Sequence, residues 1–216
     1  MDTAKGIKAL LMTDIAHVRA NQLPPEGKVP HLAIPGTAGT GAETTAVAVL
    51  YEDGQKLSVD HPALLPDGVL LDGSLLDTLP EYHRKSCAMD ALAQGIESWW
   101  AKKATPGSRI HAERAIRGVL DNLTAYLQGD RKAQDEMLHA AYESGVAILT
   151  TRTTAAHAMS YQITKKLGAA HGHACMLTLP HLWAHLAAQA EYQPMLTELA
   201  HILGGEKPMD GAVLLK

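Results

Sequence analysis

Phenylalanine is absent from the 216 residues, and the aromatic residues together make up only 4%. Recognition of single-stranded nucleic acid by stacking needs aromatic platforms, and this composition argues against it. Cysteine is equally scarce. Cys87 and Cys175 stand far apart with no CxxC pair, so the chain reads as a reduced, cytoplasmic protein rather than a disulfide-stapled one. Basic residues are not in excess: 19 Lys and Arg face 23 Asp and Glu, a formal charge of -4. That balance excludes a strongly basic nucleic-acid binder or a polybasic membrane-surface protein. No apolar run approaches the roughly 18 residues of a spanning helix. What is present is ordinary globular composition, 46% hydrophobic and 19% charged. It suits one large domain, or one and a half small ones, with a real core. Twelve histidines stand out and direct the search to metal or acid–base chemistry.

The chain changes character near residue 80. Before it, short apolar runs are broken by Gly, Pro and Asp. Residues 3–12 have helical spacing, with Ile7, Leu10 and Leu11 on one side. Residues 31–34 predict a short buried strand, and residues 68–72 another. Residues 45–51 and 56–60 flank Glu52-Asp53-Gly54, and Asp-Gly between β-rich runs predicts a hairpin. After Pro80 the text is helical, dominated by Ala, Leu, Met, Glu, Lys and Gln. Helices are predicted over residues 84–103, from Ser108 to near 129, from 131 to about 149, and over 155–167 with a stop at Gly168. A further one starts near Gly172, with Pro180 opening a new segment, and residues 204–216 read as a loop and a first helical turn. Strand-rich text followed by helix-rich text argues for two unlike parts.

Several groups could carry chemistry. Residues 36–41 place three glycines after a strand, where backbone N–H groups can approach an anion and Thr hydroxyls add donors. The loop lacks the GxGxxG and GxxxxGK patterns, so a plain turn is an equal reading. Asp90 and Gln94 are one helical turn apart on an apolar face that also carries Glu97. An acid and an amide there need a partner, which a cation or a neighbouring helix can supply. His157 shares a helix face with Tyr161, and His171-Gly-His173 follows. The order Asp-x3-Gln … His-x13-His is no standard zinc spacing, and a satisfied core histidine is the competing reading. Arg152, among Thr151, Thr153 and Thr154, is a grip for an oxyanion or a plain surface arginine.

These pieces occur together in a known order. Ile34-Pro-Gly-Thr-Ala-Gly-Thr-Gly-Ala-Glu43, Leu70-Leu-Asp72 with Thr78-Leu-Pro80, Met89-Asp-Ala-Leu-x-Gln-x-Ile-Glu97, and His157-x3-Tyr161 with His171-Gly172 resemble motifs of the iron-containing (group III) alcohol dehydrogenases. The resemblance implies a dehydroquinate synthase-like, α/β plus all-α fold. Residues 1–79 would be a partial dinucleotide-binding α/β domain and 80–216 a helical metal-binding domain, with the catalytic cleft between them. It implies Fe²⁺, or alternatively Zn²⁺, held by Asp90, His157 and His171 and, more weakly, by the amide oxygen of Gln94, which stands where the family usually has His. It implies NADH or NADPH approached by Asp2, Lys5, Thr37, Gly39, Thr40, Gly41 and Lys56. Tyr161 replaces a family histidine near the nicotinamide and is the candidate proton relay.

Gln94, the run to Trp100 and Thr151-Arg-Thr-Thr-Ala-Ala-His157 further resemble the branch that reduces phosphonoacetaldehyde to 2-hydroxyethylphosphonate. Arg152, Thr153 and Thr154 would then grip the phosphonate. A dehydrogenase for a neutral small alcohol or polyol is the alternative, as is a non-catalytic remnant acting as a binding module. Expected partners are a small aldehyde or alcohol and a second copy in a homodimer, with neither nucleic acid nor membrane. Met1 stands where the family's phosphate-binding glycines would end, so a chain shortened at both ends, with apolar faces left uncovered, is expected.

Overall fold

The structure is a computed structural model that describes residues 1–24, 29–52 and 55–216, the side chains of Gln55 and Lys56 excepted. These residues form two compact units. One comprises Met1–Pro35 and Ala42–Asp72, the other Gly36–Gly41 and Gly73–Lys216. The glycine loop thus clusters with the helices, whereas the sequence reading grouped it with the first 79 residues.

In the first unit, α1 (Asp2–Met12) and α2 (Ile15–Arg19) are followed by β1 (Leu32–Ala33), β2 (Val47–Glu52), β3 (Gln55–Asp60) and β4 (Gly68–Val69). α2 is too short for apolar periodicity to register in the sequence. It is started by Asp14, whose carboxylate accepts from the His17 backbone N–H at 3.0 Å. β2 and β3 pair antiparallel from Val47↔Asp60 to Glu52↔Gln55, the expected hairpin, although Asp53 and Gly54 themselves lie outside the described residues. β1 and β4 pair in parallel, Leu32 with Gly68 and Ala33 with Val69. Both are two residues long, shorter than expected. Pro30 and Pro35, which lack a ladder donor, bracket β1. Ala9, Val18, Leu23, Ala48, Val59, Ala63 and Leu64 form this unit's core. Ile7, Leu10 and Leu11, read as one apolar side of α1, stand exposed.

Lys5 is buried in this unit. Its Nζ donates to the carbonyls of Ala42 at 2.7 Å, Thr45 at 2.5 Å and Val47 at 3.0 Å, tying α1 to the start of β2. Burial disfavours the ammonium more than Asp2 and Glu43 favour it, and the pKa falls to about 8. Between that value and the unfolded 10.5, the unfolded chain holds a proton that the native chain has shed. Stability from Lys5 therefore rises with pH across this window. Chemical unfolding of wild type and Lys5→Met at pH 8 and pH 10 should show the wild type gaining on the variant, by up to about 3 kcal/mol at ~1.4 kcal/mol per unit. A difference independent of pH would contradict the buried-lysine account.

The second unit is helical: α3 (Glu81–Trp100), α4 (Pro106–Leu127), α5 (Arg131–Thr151), α6 (Ala155–Leu167), α7 (His171–Ala187), α8 (Gln193–Ile202) and α9 (Asp210–Leu214). Boundaries follow local chemistry. Thr105 and Ser108 form a reciprocal capping box around Pro106, so Ser108 sits inside α4 rather than capping it. Asp130 accepts from the Ala133 N–H at 2.8 Å and starts α5. Gly168, left-handed at φ 72°, ends α6.

One expectation is corrected. Pro180 does not open a new segment; α7 runs through it. An interior proline costs about 3 kcal/mol. Leu179 and Trp183 on either side are both fully buried, and burial of two such side chains at roughly 1.5–3 kcal/mol each outweighs the loss. The core also takes Tyr126, Ile96, Ile116, Met137, Leu138, Leu196 and Leu199. Trp99 is buried and Trp100 half-buried. Among the described residues no helix is long and apolar enough to cross a membrane.

Candidate metal centre

Helical periodicity puts Asp90, Gln94 and Glu97 on one face of α3, and that face is inward: Asp90 is 3% exposed and Glu97 0%. α6 and α7 supply the groups that meet it. Gly172 lets α7 come down on α3, because a Cβ there would lie 1.9 Å from the Ser86 carbonyl oxygen and 2.7 Å from the Asp90 backbone nitrogen. This contact brings His171, the first residue of α7, to Asp90.

His157 Nε2 lies 3.2 Å from Asp90 Oδ1, and His171 Nε2 lies 3.7 Å from the same oxygen. The other nitrogen of each ring is occupied. His157 Nδ1 meets the Glu97 carboxylate, and His171 Nδ1 is 3.0 Å from Ser160 Oγ. Both rings are thus held with Nε2 toward the carboxylate, the outer-shell arrangement that fixes imidazole ligands. The Cys175 thiol completes a group in which one donor atom from each of Asp90, His157, His171 and Cys175 lies within 4.8 Å of every other. A tetrahedral ion with bonds of about 2.1 Å sets its ligand atoms about 3.4 Å apart. The two imidazole–carboxylate separations bracket that value, so the donors fit a divalent cation.

The electrostatics agree. Burial opposes charge on His157, but hydrogen bonds to Asp90, Cys175 and Glu97 overcome it and push its pKa up to about 12. The surroundings therefore favour a positive charge at this spot, which a cation would supply while leaving the imidazole neutral. Glu97 is fully employed. One carboxylate oxygen accepts from the Thr154 N–H at 3.1 Å, the Thr154 hydroxyl and the Ala156 N–H at 2.9 Å, and the other meets His157. It caps the start of α6 and aims its histidine in one stroke.

Residues 85–213 match the family described as Fe-containing alcohol dehydrogenase family, C-terminal, and residues 1–73 match Iron-containing alcohol dehydrogenase. The chain belongs to the iron-containing alcohol dehydrogenase family. It is 36% identical over 197 residues to a phosphonoacetaldehyde reductase of Streptomyces viridochromogenes, covering 84% of this chain and 49% of that protein. It is 30% identical over 213 residues to an alcohol dehydrogenase of Thermococcus barophilus, covering 94% and 56%. The solved iron-containing alcohol dehydrogenase of Thermococcus thioreducens superposes with a TM-score of 0.90 at 28% identity, over 99% of this chain and 59% of that one. The sulfoacetaldehyde reductase of Bifidobacterium kashiwanohense, solved with NAD⁺, gives 0.88 at 28% identity, over 99% and 58%. The expected fold is therefore confirmed, and the chain spans about half the length of the curated relatives it matches.

Against the family pattern, the other expected site residues fall in several places. Gln94 Oε1 accepts from Ser144 Oγ at 2.9 Å and its Nε2 donates to the Thr40 carbonyl at 3.3 Å, which ties its amide to α5 and to the glycine loop. Cys175, read from sequence only as a thiol with no CxxC partner, lies in the cluster. Thr154, expected on the substrate, donates its hydroxyl to Glu97 and accepts from Trp100 Nε1 at 3.0 Å. Thr153 is half-buried and Arg152 exposed, at φ 62° where α5 ends. Tyr161 is 44% exposed, its ring 5.9 Å from that of His171.

The residues expected at the dinucleotide are mostly employed in packing. A Cβ on Gly39 would lie 2.9 Å from Cys87 Cα, and one on Gly41, at φ 56°, 2.5 Å from the Ala141 carbonyl. These glycines let the loop lie against α3 and α5. Thr37 hydrogen-bonds the Cys87 thiol, and Lys5 donates to the carbonyls described above. Asp2 opens α1, half-buried. The Lys56 side chain lies outside the described residues.

Proposed function

We propose that the chain serves metal-dependent, NAD(P)H-linked reduction of an aldehyde to an alcohol, and that the aldehyde carries an anionic group, phosphonoacetaldehyde being the reading favoured. The observation that carries it is the convergence of Asp90, His157 and His171 donor atoms on one buried point. A divalent cation there, Fe²⁺ or Zn²⁺, supplies Lewis acidity toward a carbonyl oxygen. Asp90 contributes charge, and the two imidazoles contribute neutral donors whose direction Glu97 and Ser160 set. Tyr161, whose ring lies 5.9 Å from that of His171, is the proton donor in this reading, passing the proton from its Oη to the product oxygen directly or through a water. Arg152 stands at the α5–α6 junction that leads into His157, and its guanidinium suits a phosphonate. The names of two relatives, phosphonoacetaldehyde reductase and sulfoacetaldehyde reductase, both specify an anionic aldehyde.

Metal content tests the centre. Anaerobically prepared chain should take up one equivalent of divalent metal, and Asp90→Asn should take up none; stoichiometric metal in the variant would remove Asp90 from the ligands. Steady-state kinetics test the substrate. Arg152→Ala should raise KM for phosphonoacetaldehyde at least 10-fold, a loss of about 1.4 kcal/mol, and leave that for a neutral aldehyde of similar size within twofold. Equal effects on both aldehydes would end the anionic-substrate reading.

A further inference from the structure

We propose that Cys175 is the fourth metal ligand, taking the coordination position that Gln94 does not fill, so that the centre is Asp90–His157–His171–Cys175 with a thiolate donor. The proposal rests on the metal reading above. The thiol sits with the three other donor atoms inside 4.8 Å and hydrogen-bonds the His157 ring. It is fully buried, so its partners come from the site rather than from solvent. His171 and Cys175 are four residues apart on α7 and therefore project from one face, the face that Gly172 lets down onto α3. Gln94, the other candidate for this position, has its oxygen on Ser144 and its nitrogen on Thr40.

Chemistry points the same way. One carboxylate and one thiolate balance a divalent cation, and uptake of the metal releases the thiol proton to solvent. A thiolate is a softer donor than an amide oxygen and moves the preference of the site toward Zn²⁺ or Co²⁺ and away from Fe²⁺. Cys87 provides an internal contrast. It lies outside the donor group and hydrogen-bonds Thr37, and burial lifts its pKa to about 11, so it has no reason to ionise near neutrality.

Cobalt substitution tests this without turnover. The full chain, with Cys87→Ser to leave one thiol, is loaded with Co²⁺ alone, and bound metal and the near-ultraviolet spectrum are measured. A thiolate-to-cobalt charge-transfer band is expected, lost in Cys175→Ser while that variant still binds cobalt. Zn²⁺ affinity, by competition with a chelator, should fall in Cys175→Ser by more than the ~10–100-fold that losing an outer-shell partner costs. Circular dichroism of the variant checks that the helices persist, and Cys175→Ala repeats the measurement should the serine misfold. Stoichiometric cobalt with no charge-transfer band overturns thiolate ligation and leaves the metal reading standing. No cobalt bound to the unaltered chain overturns both.

Discussion

Gly172→Ala is expected to cost the protein both its metal and much of its stability. The added methyl would meet the Ser86 carbonyl oxygen at 1.9 Å, the Asp90 nitrogen at 2.7 Å and Asp90 Cβ at 2.8 Å. Two of these three atoms are backbone of α3, and no rotamer change moves them away. The N-terminus of α7 must therefore retreat, at about 3 kcal/mol or more, the upper range for overpacking. That is a large share of the roughly 5–15 kcal/mol that holds a domain folded. The same retreat carries His171 away from Asp90, from which its Nε2 is already 3.7 Å distant. Urea unfolding should show a lowered midpoint, and zinc uptake should be lost. Gly36→Ala is the control: nothing lies within 4 Å of its added Cβ, and a change within about 0.5 kcal/mol is expected. An unchanged midpoint with full zinc uptake in Gly172→Ala would mean that α7 does not lie on α3 as described.

Gly172 also shows where sequence reading reaches and where it stops. The His171-Gly172 pair was legible as a motif, and helices with strong local signals were placed within a few residues: Asp130 before α5, Pro106 at the start of α4, Gly168 after α6. The first and last of these signals act within one turn and need no knowledge of the rest of the chain, whereas α4 was read as starting at Ser108, two residues late. Long-range settlements were not legible. Pro180 is a helix breaker locally and was read as one, and only burial of Leu179 and Trp183 decides otherwise. The glycines of the 36–41 loop have the composition of an anion cradle, but the close approach of Gly39 to α3 and of Gly41 to α5 could not be read from it. Gln94 followed the family pattern by position, but Ser144, fifty residues on, claims its oxygen. Cys175 stands four residues after His171 on α7, but its other two partners, Asp90 and His157, come from α3 and α6, so only the fold brings the set together.

Glu97→Gln should separate folding from metal binding. In the wild type, one oxygen of Glu97 takes three donors, the N–H groups of Thr154 and Ala156 and the Thr154 hydroxyl, while the other faces His157 Nδ1. A glutamine keeps this only in one orientation: its carbonyl must serve the three donors, which turns its NH₂ toward Nδ1. Two donors cannot face each other, so His157 must present a bare Nδ1 and carry its proton on Nε2. Nε2 is the atom 3.2 Å from Asp90, and a protonated Nε2 has no lone pair for a metal. The backbone cap at α6 survives, whereas the ligand is switched to the wrong tautomer. Zinc affinity should fall by 10–100-fold or more, the range for lost outer-shell partners, with helical content retained. Glu97→Ala, by contrast, strands the two N–H groups and the imidazole in a dry site, and removal of one partner of such a buried set costs about 3–5 kcal/mol. If Glu97→Gln binds zinc as tightly as the wild type, the carboxylate does not set the His157 tautomer. Nε2 would then have to be presented to the metal by some other contact.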